Sequence, residues 1–549
     1  MKNLHKKYCV EEYDEKGILS KFDIVCPDNF NFAYDVIDAI GTNEPDRRAL
    51  LWINEEGEKH SFTYGDFMKK SNQVANMLLA HGVKKGDKVL CILKRHYQMW
   101  FVAFALCKIG AVLIPATNQL MAKDLVYRFE AAHVKFVIAT ADGEVTDHVE
   151  QSLEKYDGIQ EKFVARGDKE GWVCFDSEYE KYSDKLDRIE NNVEDDMLLY
   201  FTSGTTGYPK MVMHSHYYSL AHLQTGKHWH NLKDDSLHLT ISESGWGKFM
   251  WGKMYGQFLM ACTVFAYDFN RFDPKDMLQK MQDYKITSFC APPTMYRFFI
   301  KEGIENYDLS NLKYATIAGE ALNPEVYNKF YQYTGLKLME GFGQTETVLV
   351  VANLPGMDPK PGSMGKPTPL YNVDIVDENN NPVAMGEVGE IVIRTKGNKH
   401  KGMFKEYYNN PEATQNSWNN DVYHTGDTAW KDEDGYLWYV GRTDDLIKAS
   451  GYRIGPFEIE SVLMEHPSVL EVAVTGAEDP IRGQVVKATI VLSKEYKDKG
   501  DASLIKELQT YVKNATAPYK YPRIVEFVEE LPKTISGKIR RVEIRANDK

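Results

Sequence analysis

Cysteine is scarce in this chain of 549 residues, and its placement follows no pattern. The seven cysteines are odd in number and scattered, and no two of them form a C-x-x-C pair. Disulfide frameworks and zinc sites both need cysteines at paired or fixed spacings. The sequence therefore predicts reduced thiols, which are typical of a cytoplasmic protein.

Long apolar runs are also lacking. The most apolar stretch covers residues 99–115 and is interrupted by Lys108 and Gly110. It is shorter than the ~20 residues that a membrane-spanning helix needs, so it predicts a buried core helix. The first residues mix Lys, Glu and Asp with short apolar pieces, which is not a secretory signal, and the final Ala-Asn-Asp-Lys is not a peroxisomal address. We expect a cytoplasmic protein with no integral membrane segment.

An excess of positive charge is absent, because the net charge is −13. Surfaces that bind nucleic acid or anionic lipid need clustered Lys and Arg, so neither is expected as a partner. Low-complexity segments and internal repeats are lacking too, and contents of 43% hydrophobic and 26% charged residues exclude extensive disorder. A chain of this length predicts a large core and at least one smaller unit.

Alternating strand-like and helical patterns fill the chain up to about residue 440, which predicts α/β layers. Asn323 and Pro324 are typical of an N-cap and a first helical position, and they predict a helix through Tyr333. The strand-like runs include residues 88–93, 136–140, 287–291 and 314–318.

The pattern changes near Gly441. Residues 431–440 predict a hairpin around Asp434-Gly435, and a compact segment of about a hundred residues follows a charged tract. That segment has strand-like runs at 471–475 and 485–492 and one amphipathic helix. The apolar face of this helix carries Leu504, Leu508, Tyr511 and Val512. We predict a large domain over residues 1–443 and a small α+β domain over residues 444–549.

A loop rich in glycine and hydroxyl groups covers residues 200–210, with the sequence Tyr-Phe-Thr-Ser-Gly-Thr-Thr-Gly-Tyr-Pro-Lys. Main-chain N–H groups and hydroxyls packed this densely can converge on phosphate oxygens, and Lys210 adds charge. It is not a Walker loop. Apolar runs at 197–201 and 211–214 predict strand–loop–strand, with a flexible hairpin tip as the alternative.

This loop resembles the phosphate-binding signature of the adenylate-forming superfamily, which includes acyl-CoA synthetases, peptide-synthetase adenylation domains and luciferases. The superfamily's other signatures follow in order. They are Ala318-Gly319-Glu320, Gly341-Phe342-Gly343-Gln344-Thr345-Glu346, His424-Thr425-Gly426-Asp427, Gly441-Arg442-Thr443-Asp444-Asp445, Ser450-Gly451-Tyr452-Arg453-Ile454-Gly455 and Ser536-Gly537-Lys538. Residues 243–246 and 517–522 resemble medium-chain acyl-CoA synthetases in particular. The resemblance implies an α/β fold with a large N-terminal multi-layer domain and a small, mobile α+β C-terminal domain.

The resemblance also implies an ATP site. Asp427 would hold the ribose, because one carboxylate can accept hydrogen bonds from two vicinal hydroxyls; an ordinary turn residue is the alternative. Arg442 would assist at the ribose or phosphate, and Arg453 at the phosphates. The remaining nucleotide-binding residues would be Thr202, Ser203, Gly204, Thr205, Thr206, Gly207, Lys210, Gly319, Glu320, Glu340, Gly341, Phe342, Gly343 and Gln344.

Lys538, Thr345 and Glu346 are the catalytic residues that the resemblance implies. A compact ammonium such as that of Lys538 suits the charge that develops on a five-coordinate phosphorus, although a lysine in a basic tail is usually solvated. Glu346 would help to hold Mg²⁺, with a plain surface carboxylate as the alternative.

Coenzyme A would be bound mainly by the small domain, after a rotation about a hinge at Asp444. The matching positions are Ser450, Gly451, Tyr452, Arg482, Tyr519, Lys520 and Tyr521. Plain surface packing is the alternative for these side chains.

The acid would enter a pocket formed by Trp246, Gly247, Lys248, Trp251, Ala318 and Gly343. Acetate-specific relatives have tryptophan at the place of Gly343, so glycine is expected to leave room for a larger acid. Lys248 and Trp251 would shorten or redirect the pocket if they point inward, while a lysine head could instead lie at the rim. We predict a short-to-medium acid, with branching left open.

The predicted function is therefore that of an AMP-forming acyl-CoA synthetase that uses ATP, Mg²⁺ and coenzyme A. An aryl-CoA ligase, a luciferase-like enzyme and an adenylation enzyme with another acceptor are the alternatives. The expected partners are small molecules, with no nucleic acid, and a homodimer is left open.

Overall fold

The computed structural model describes residues 3–202, 209–396, 400–419, 421–449, 452–534 and 538–547. Its α-helices are α1 Ala39–Asn43, α2 Tyr64–Ala80, α3 Gln98–Ile109, α4 Ala122–Ala132, α5 Val145–Leu153, α6 Phe175–Glu178, α7 Tyr217–Gly226, α8 Gly247–Lys253, α9 Tyr255–Leu259, α10 Pro274–Asp283, α11 Pro293–Glu302, α12 Pro324–Thr334, α13 Pro411–Asn416, α14 Pro456–Met464, α15 Ala502–Ala515 and α16 Arg541–Ala546. Shorter 3₁₀ or π segments lie at Leu4–Lys7, Ala33–Asp38, Tyr179–Lys181, Ile304–Asn306 and Pro518–Lys520.

The strands are β1 Cys9–Tyr13, β2 Leu19–Ile24, β3 Arg48–Asn54, β4 Lys59–Thr63, β5 Lys88–Ile92, β6 Val112–Pro115, β7 Phe136–Thr140, β8 Glu161–Ala165, β9 Val173–Cys174, β10 Asp196–Phe201, β11 Met211–Ser215, β12 Leu237–Thr240, β13 Thr263–Asp268, β14 Ser288–Ala291, β15 Tyr314–Ile317, β16 Leu338–Gly343, β17 Leu349–Ala352, β18 Lys366–Pro367, β19 Val373–Val376, β20 Gly389–Arg394, β21 Glu406–Tyr407, β22 Trp418–Asn419, β23 Val422–Lys431, β24 Leu437–Arg442, β25 Ile447–Ala449, β26 Tyr452–Ile454, β27 Val469–Asp479, β28 Gly483–Leu492 and β29 Ile524–Val528.

Two large, mostly parallel sheets form the body of the protein. One is eight-stranded in the order β21-β11-β10-β6-β5-β7-β8-β9, and the other is nine-stranded in the order β18-β17-β16-β15-β14-β12-β13-β3-β4. Successive side chains of a strand point to opposite faces. In β3, Leu50 and Trp52 therefore join a central core between the sheets, while Leu51 and Ile53 join an outer core against α10–α12. The predicted α/β layers are confirmed.

The strand-like runs of the sequence correspond to β5, β7, β14 and β15, with ends that differ by at most one residue. The predicted helix after Asn323 is α12, and the Asn323 side chain accepts a hydrogen bond from the Glu325 amide at 2.7 Å. Burial on both faces explains why these strands are continuous apolar runs.

The prediction of one buried core helix over residues 99–115 is wrong in its second half. Helix α3 is buried throughout but ends at Ile109, because Gly110 adopts a left-handed conformation with φ of 70°. The chain then turns into strand β6, which pairs in parallel with β5. Lys108 is tolerated inside α3 because its ammonium donates to Asp38, Ser71 and Asn72.

A third sheet has the order β19-β20-β23-β22, with β24 paired to β23. Its β23–β24 hairpin contains the predicted turn, since the Gly435 amide donates to the Asp432 carbonyl at 3.0 Å. Strand β23 begins at Val422, earlier than the predicted hairpin.

The C-terminal segment has its own sheet, in the order β26-β25-β28-β27 with β29 paired to β28. Helix α15 buries Leu504, Leu508 and Val512 against this sheet, whereas Tyr511 packs its ring on His466 at 5.2 Å. The predicted small α+β unit is present. The boundary at residues 443/444 stays a prediction; it falls between the end of β24 and the start of β25.

Within the described ranges, no helix combines the length and apolar character that crossing a membrane requires. All seven cysteines are free thiols, as the sequence predicts, and Cys91, Cys107, Cys262 and Cys290 are buried.

Candidate active site

The glycine-rich loop connects two paired strands, as the sequence predicts. Strands β10 and β11 are antiparallel, with Phe201 opposite Met211. The Thr202 amide donates to the Lys210 carbonyl at 2.9 Å and closes the base of the loop. Ser203, Gly204, Thr205, Thr206 and Gly207 lie outside the described residues, so their part in phosphate binding stays a prediction.

Gln344, Asp427 and Arg442 meet in one hydrogen-bonded network. The Gln344 amide nitrogen donates to Oδ2 of Asp427 at 2.5 Å and to the Thr425 carbonyl at 2.7 Å. Arg442 donates to the same carbonyl at 3.0 Å and lies 3.3 Å from Oδ2 of Asp427. Strands β23 and β24 place Asp427 opposite Arg442. Gln344, which is 83 residues before Asp427, joins this pair from the segment that follows β16.

Gly426 permits this approach. Its φ is +71°, and a β-carbon there would lie 2.7 Å from Nη2 of Arg442. Only glycine adopts this conformation without strain and leaves space for the guanidinium.

Asp427 is buried beneath the network, and burial raises its pKa above the usual range. Arg442, the Tyr439 hydroxyl, Gln344 and Lys538 act in the opposite direction. Tyr439 donates to Oδ1 of Asp427 at 3.0 Å. Lys538 is exposed, yet its charge reaches this carboxyl. The catalytic role of Lys538 stays a prediction.

Thr345 and Glu346 follow Gln344 and are anchored to the strands beside the loop. The Thr345 carbonyl accepts a hydrogen bond from Nε2 of His214 at 2.7 Å. Oε1 of Glu346 accepts one from the Tyr407 hydroxyl at 2.7 Å. The carboxylate is therefore held in a defined orientation next to β11.

The predicted adenine residues lie at the ends of β15 and β16. Gly319 has a φ of +110° with open space at its Cα, and the exposed Glu320 accepts a hydrogen bond from Thr294. Phe342 is half-buried, with its ring 6.3 Å from that of Tyr439. Gly341 is fixed by packing, since a β-carbon would lie 2.7 Å from the Trp229 ring.

Glu340 lies deeper, on the strand before Gly341. Its Oε1 accepts a hydrogen bond from the Leu322 amide at 3.3 Å, whereas its buried Oε2 has no partner within the described residues. Burial raises the pKa of this carboxyl to about 8. Burial therefore favours the protonated, neutral form of the Glu340 carboxyl.

Lys248 bridges two parts of the predicted acid pocket. It lies on α8, and its ammonium donates to the Ala318 carbonyl at the end of β15 at 2.7 Å. Burial lowers its pKa below the usual range. Its head thus ends at the Ala318 carbonyl, and whether it lies within the acid pocket or at its rim stays a prediction.

The Trp251 ring lies against Gly343, while the expectation that glycine leaves room for an acid larger than acetate stays a prediction. A β-carbon at Gly343 would lie 2.5 Å from Cη2 of Trp251 and 2.4 Å from the Val348 carbonyl oxygen. The Trp251 indole N–H donates to the Tyr218 hydroxyl at 3.1 Å, which fixes the ring. Trp251 comes from α8, so sequence position alone did not reveal this contact.

Two other predicted pocket residues are less constrained. A β-carbon at Gly247 would lie 4.0 Å from the Tyr200 ring, which is ordinary contact. Trp246 precedes α8 as its N-cap and is half-buried.

Arg453 does not join the Asp427 network. It pairs with Glu378, which follows β19, at 2.5 Å, and both side chains are largely exposed. Its predicted part at the phosphates stays a prediction. Asp444 lies 3.7 Å from Nε of Arg442, so the predicted hinge is beside the network.

The predicted coenzyme A residues cluster on the small domain. The exposed rings of Tyr452 and Tyr519 stack with centroids 4.0 Å apart. Lys520 pairs with Glu458, while the Arg482 amide donates to Asp479. Tyr521 packs partly into the core of this domain, and Ser450 and Gly451 are outside the described residues.

Sequence reasoning missed Tyr407, Tyr423 and Tyr439, whose hydroxyls contact Glu346, Gln344 and Asp427. The ring of a tyrosine usually indicates core packing, and the sequence does not show which group its hydroxyl contacts. Tyr423 directly precedes the His424 motif and Tyr439 lies two residues before Gly441, whereas Tyr407 follows Glu406 and lies in none of the motifs.

Comparison with known proteins agrees with this geometry. Residues 37–408 match the family described as AMP-binding enzyme, and residues 458–538 match the AMP-binding enzyme C-terminal domain. The human acyl-coenzyme A synthetase ACSM3, mitochondrial, is 41% identical over 535 residues, which cover 96% of this chain and 91% of that protein. The mouse acyl-coenzyme A synthetase ACSM4, mitochondrial, is 40% identical over 540 residues, covering 97% and 93%.

Solved structures give the same result. The anthranilate CoA ligase AuaEII in complex with anthranoyl-AMP superposes with a TM-score of 0.86 at 27% identity, covering 95% of this chain and 98% of that chain. A benzoate CoA ligase from Burkholderia xenovorans LB400 gives 0.81 at 25% identity, covering 94% and 100%. The predicted superfamily and fold class are confirmed: this chain belongs to the AMP-binding enzyme family.

Proposed function

We propose that this protein is an AMP-forming acyl-CoA synthetase, which converts a carboxylic acid, ATP and coenzyme A into acyl-CoA, AMP and diphosphate. The observation that carries the proposal is the network of Gln344, Asp427 and Arg442. It joins a ribose-binding carboxylate to the motif that carries Glu346.

The first half-reaction makes an acyl-adenylate. A carboxylate oxygen attacks the α-phosphorus of ATP, the bond to the β-phosphate oxygen breaks, and diphosphate leaves. Two anions must meet, so fixed positive charge has to offset their repulsion. Lys210, Arg442 and Lys538 supply that charge, and Asp427 orients the ribose.

A magnesium ion would need only one protein carboxylate at this site. Mg²⁺ in nucleotide enzymes commonly uses one or two carboxylates together with substrate phosphates. No group of three or more His, Cys, Asp or Glu side chains suited to a metal occurs in the described part of the chain. Glu346, whose orientation is fixed by Tyr407, would hold the ion, which neutralises phosphate charge when bound.

The second half-reaction passes the acyl group to coenzyme A. The thiolate attacks the acyl carbonyl, and AMP leaves. We place the domain boundary at residues 443/444 with Asp444 as the hinge, so that rotation withdraws Lys538 and presents the face of Tyr452 and Tyr519. A thiol with a pKa near ~8.5 supplies enough thiolate against so activated an ester.

The acid is short to medium in length, straight or branched. Trp251 and the bond between Lys248 and Ala318 limit the depth of the pocket. A pocket methylene changes specificity by only ~1–3 kcal/mol, so several related acids should react.

An aryl-CoA ligase is the second candidate. Trp251 and Tyr218 form a rigid aromatic wall through their hydrogen bond, and aromatic rings pack favourably edge to face or offset. Two of the similar structures are those of an anthranilate CoA ligase and a benzoate CoA ligase. Benzoate therefore belongs in the substrate panel.

The cellular location and assembly are further parts of the proposal. Seven free cysteines suit a compartment that keeps thiols reduced, for which the cytoplasm was predicted. The curated relatives carry the word mitochondrial in their names. Fractionation of native cells tests the location, and light scattering of the purified protein tests for a homodimer.

ATP–diphosphate exchange over a panel of acids tests the function, followed by coenzyme A-dependent release of AMP. Lys538→Ala should abolish most exchange but leave thioester formation from pre-made adenylate largely intact. Lys533→Ala is the matched control, since Lys533 lies in the same segment and pairs with Glu471 on the surface. Equal losses in both half-reactions would contradict the two-conformation mechanism. Light emission or O₂ uptake would instead favour a luciferase-like enzyme.

A further inference from the structure

Four aromatic side chains pack together beneath the nucleotide end of the site. They are Phe404, Tyr407, Trp418 and Tyr423, and we call them the aromatic platform. The Phe404 ring lies 4.9 Å from that of Tyr407 and 5.6 Å from that of Tyr423, and Trp418 lies 5.2 Å from Tyr423. Phe404, Tyr407 and Tyr423 are at most 4% exposed. The platform is therefore rigid enough to fix the positions of its two hydroxyls.

Both hydroxyls of the platform point to the same motif. The Tyr407 hydroxyl donates to Oε1 of Glu346 at 2.7 Å, and the Tyr423 hydroxyl donates to Oε1 of Gln344 at 3.0 Å. Gln344 in turn donates to Asp427. One buried cluster thus holds the side chains on either side of Thr345.

The main chain strengthens this link. The Phe404 amide donates to the Glu346 carbonyl at 2.8 Å, so Glu346 is held by its backbone as well as its side chain. Strand β21 pairs with β11, with Tyr407 opposite Val212. The segment that carries the platform is therefore attached to the strand that begins next to Lys210.

Lys210 also contacts the platform. Its ammonium lies 4.7 Å from the centroid of the Tyr407 ring, within the range of a cation–π interaction. One tyrosine therefore orients a carboxylate through its hydroxyl and a lysine through its ring.

We propose that Tyr407 and Tyr423 are positioning residues for adenylate formation: Tyr407 holds Glu346 and Lys210 for the metal and phosphate groups of ATP, and Tyr423 holds Gln344 for the ribose side. The proposal rests on the proposed function, because it assigns Glu346 and Asp427 to ATP. Neither tyrosine touches the reacting atoms in this scheme. Their effect passes through the residues that they orient.

The test compares three single-atom deletions. Tyr407→Phe and Tyr423→Phe remove one hydroxyl each and keep the ring. Tyr408→Phe is the matched control, because Tyr408 is the next residue and its ring faces Lys88 at 4.8 Å, away from Glu346. Melting temperatures of all three variants are measured first, and assays are run well below them.

Calorimetric titration with ATP distinguishes the role of Tyr407 from that of Tyr423, because it measures binding in the absence of the reaction. Tyr407→Phe should weaken binding of ATP with Mg²⁺ but leave binding of ATP with EDTA unchanged. Tyr423→Phe should weaken both by a similar factor. Tyr407→Phe removes a hydrogen bond to the charged Glu346 carboxylate, so we expect a loss of affinity of about tenfold or more. Tyr408→Phe should match the unaltered protein.

Kinetics then connect binding to the reaction. Tyr407→Phe should lower kcat for ATP–diphosphate exchange about tenfold or more, with little change in thioester formation from pre-made adenylate. In a Glu346→Gln background the same change should have little further effect, because the acceptor has already lost its charge. If Tyr407→Phe and Tyr423→Phe behave like Tyr408→Phe in both assays, the positioning proposal is overturned. If the unaltered protein binds ATP but exchanges no diphosphate with any acid, the proposed function fails instead.

Discussion

The indole of Trp251 lies directly against Gly343, although the two residues belong to different elements, α8 and β16. The ring is held there by its hydrogen bond to Tyr218. Glycine at 343 is consequently needed for packing, and the tryptophan that lies against it comes from another part of the chain.

Replacing Trp251 by alanine should move the acid preference toward longer chains. The space that the indole fills becomes available to substrate, and each additional buried methylene can contribute ~1–3 kcal/mol. We expect kcat/KM for octanoate to rise at least about tenfold relative to butyrate. Competition assays over straight acids from acetate to decanoate measure the shift. An unchanged ratio would show that Trp251 does not border the acyl chain.

Replacing Gly343 by alanine should damage the same site for a steric reason. The new methyl group would meet both the Trp251 ring and the Val348 carbonyl, and overpacking of this kind costs about 1–3 kcal/mol. We expect a lower melting temperature and a lower kcat/KM for every acid. Adding Trp251→Ala should restore only part of the loss, since the contact with the Val348 backbone remains. Full restoration by the second substitution would contradict this account.

Much of the fold could be predicted because its signals are local. Continuous apolar runs gave β5, β7, β14 and β15, and Asn323 with Pro324 gave the start of α12. The end of the helix at Gly110 and the strand that follows it were not predicted, because an apolar run looks the same in a helix and in a buried strand.

The candidate site was predictable only where a motif carries it. Asp427, Gln344 and Arg442 lie in recognisable strings, and the pairing of β23 with β24 explains why Asp427 lies opposite Arg442. Gln344 reaches Asp427 from the segment that follows β16, and this contact is not part of that pairing. Tyr407 lies 61 residues from Glu346, and Tyr423 lies 79 residues from Gln344. Such pairings depend on which strands become neighbours in the folded chain, and no local pattern encodes them. The AMP-forming acyl-CoA ligase predicted from the motifs is confirmed at the level of the family.

Replacing Gly426 by alanine should impair nucleotide binding through Arg442. The β-carbon would lie 2.7 Å from Nη2 and would have to adopt a positive φ, which costs roughly 1 kcal/mol for a residue other than glycine. We expect KM for ATP to rise several-fold with a smaller change in KM for the acid. Gly435→Ala is a control, since Gly435 also has a positive φ but open space around it. Similar KM values for ATP in the two variants would argue against a specific effect on Arg442.

Glu340 should make stability depend on pH. Burial raises its pKa to about 8 in the folded protein, against ~4.3 in an unfolded chain. Between these values the folded state binds a proton that the unfolded state lacks, so stability falls as pH rises through this window. Glu340→Gln keeps the shape of the side chain but carries no titratable group, and its stability therefore lacks this dependence on pH.

We expect the unaltered protein and Glu340→Gln to melt at similar temperatures at pH 5, and the variant to melt about 2 °C or more higher at pH 9. Glu378 is exposed, so Glu378→Gln is the control and should melt like the unaltered protein at both pH values. If Glu340→Gln also melts like the unaltered protein at both pH values, the Glu340 carboxyl is already ionised in the folded state and this prediction is wrong.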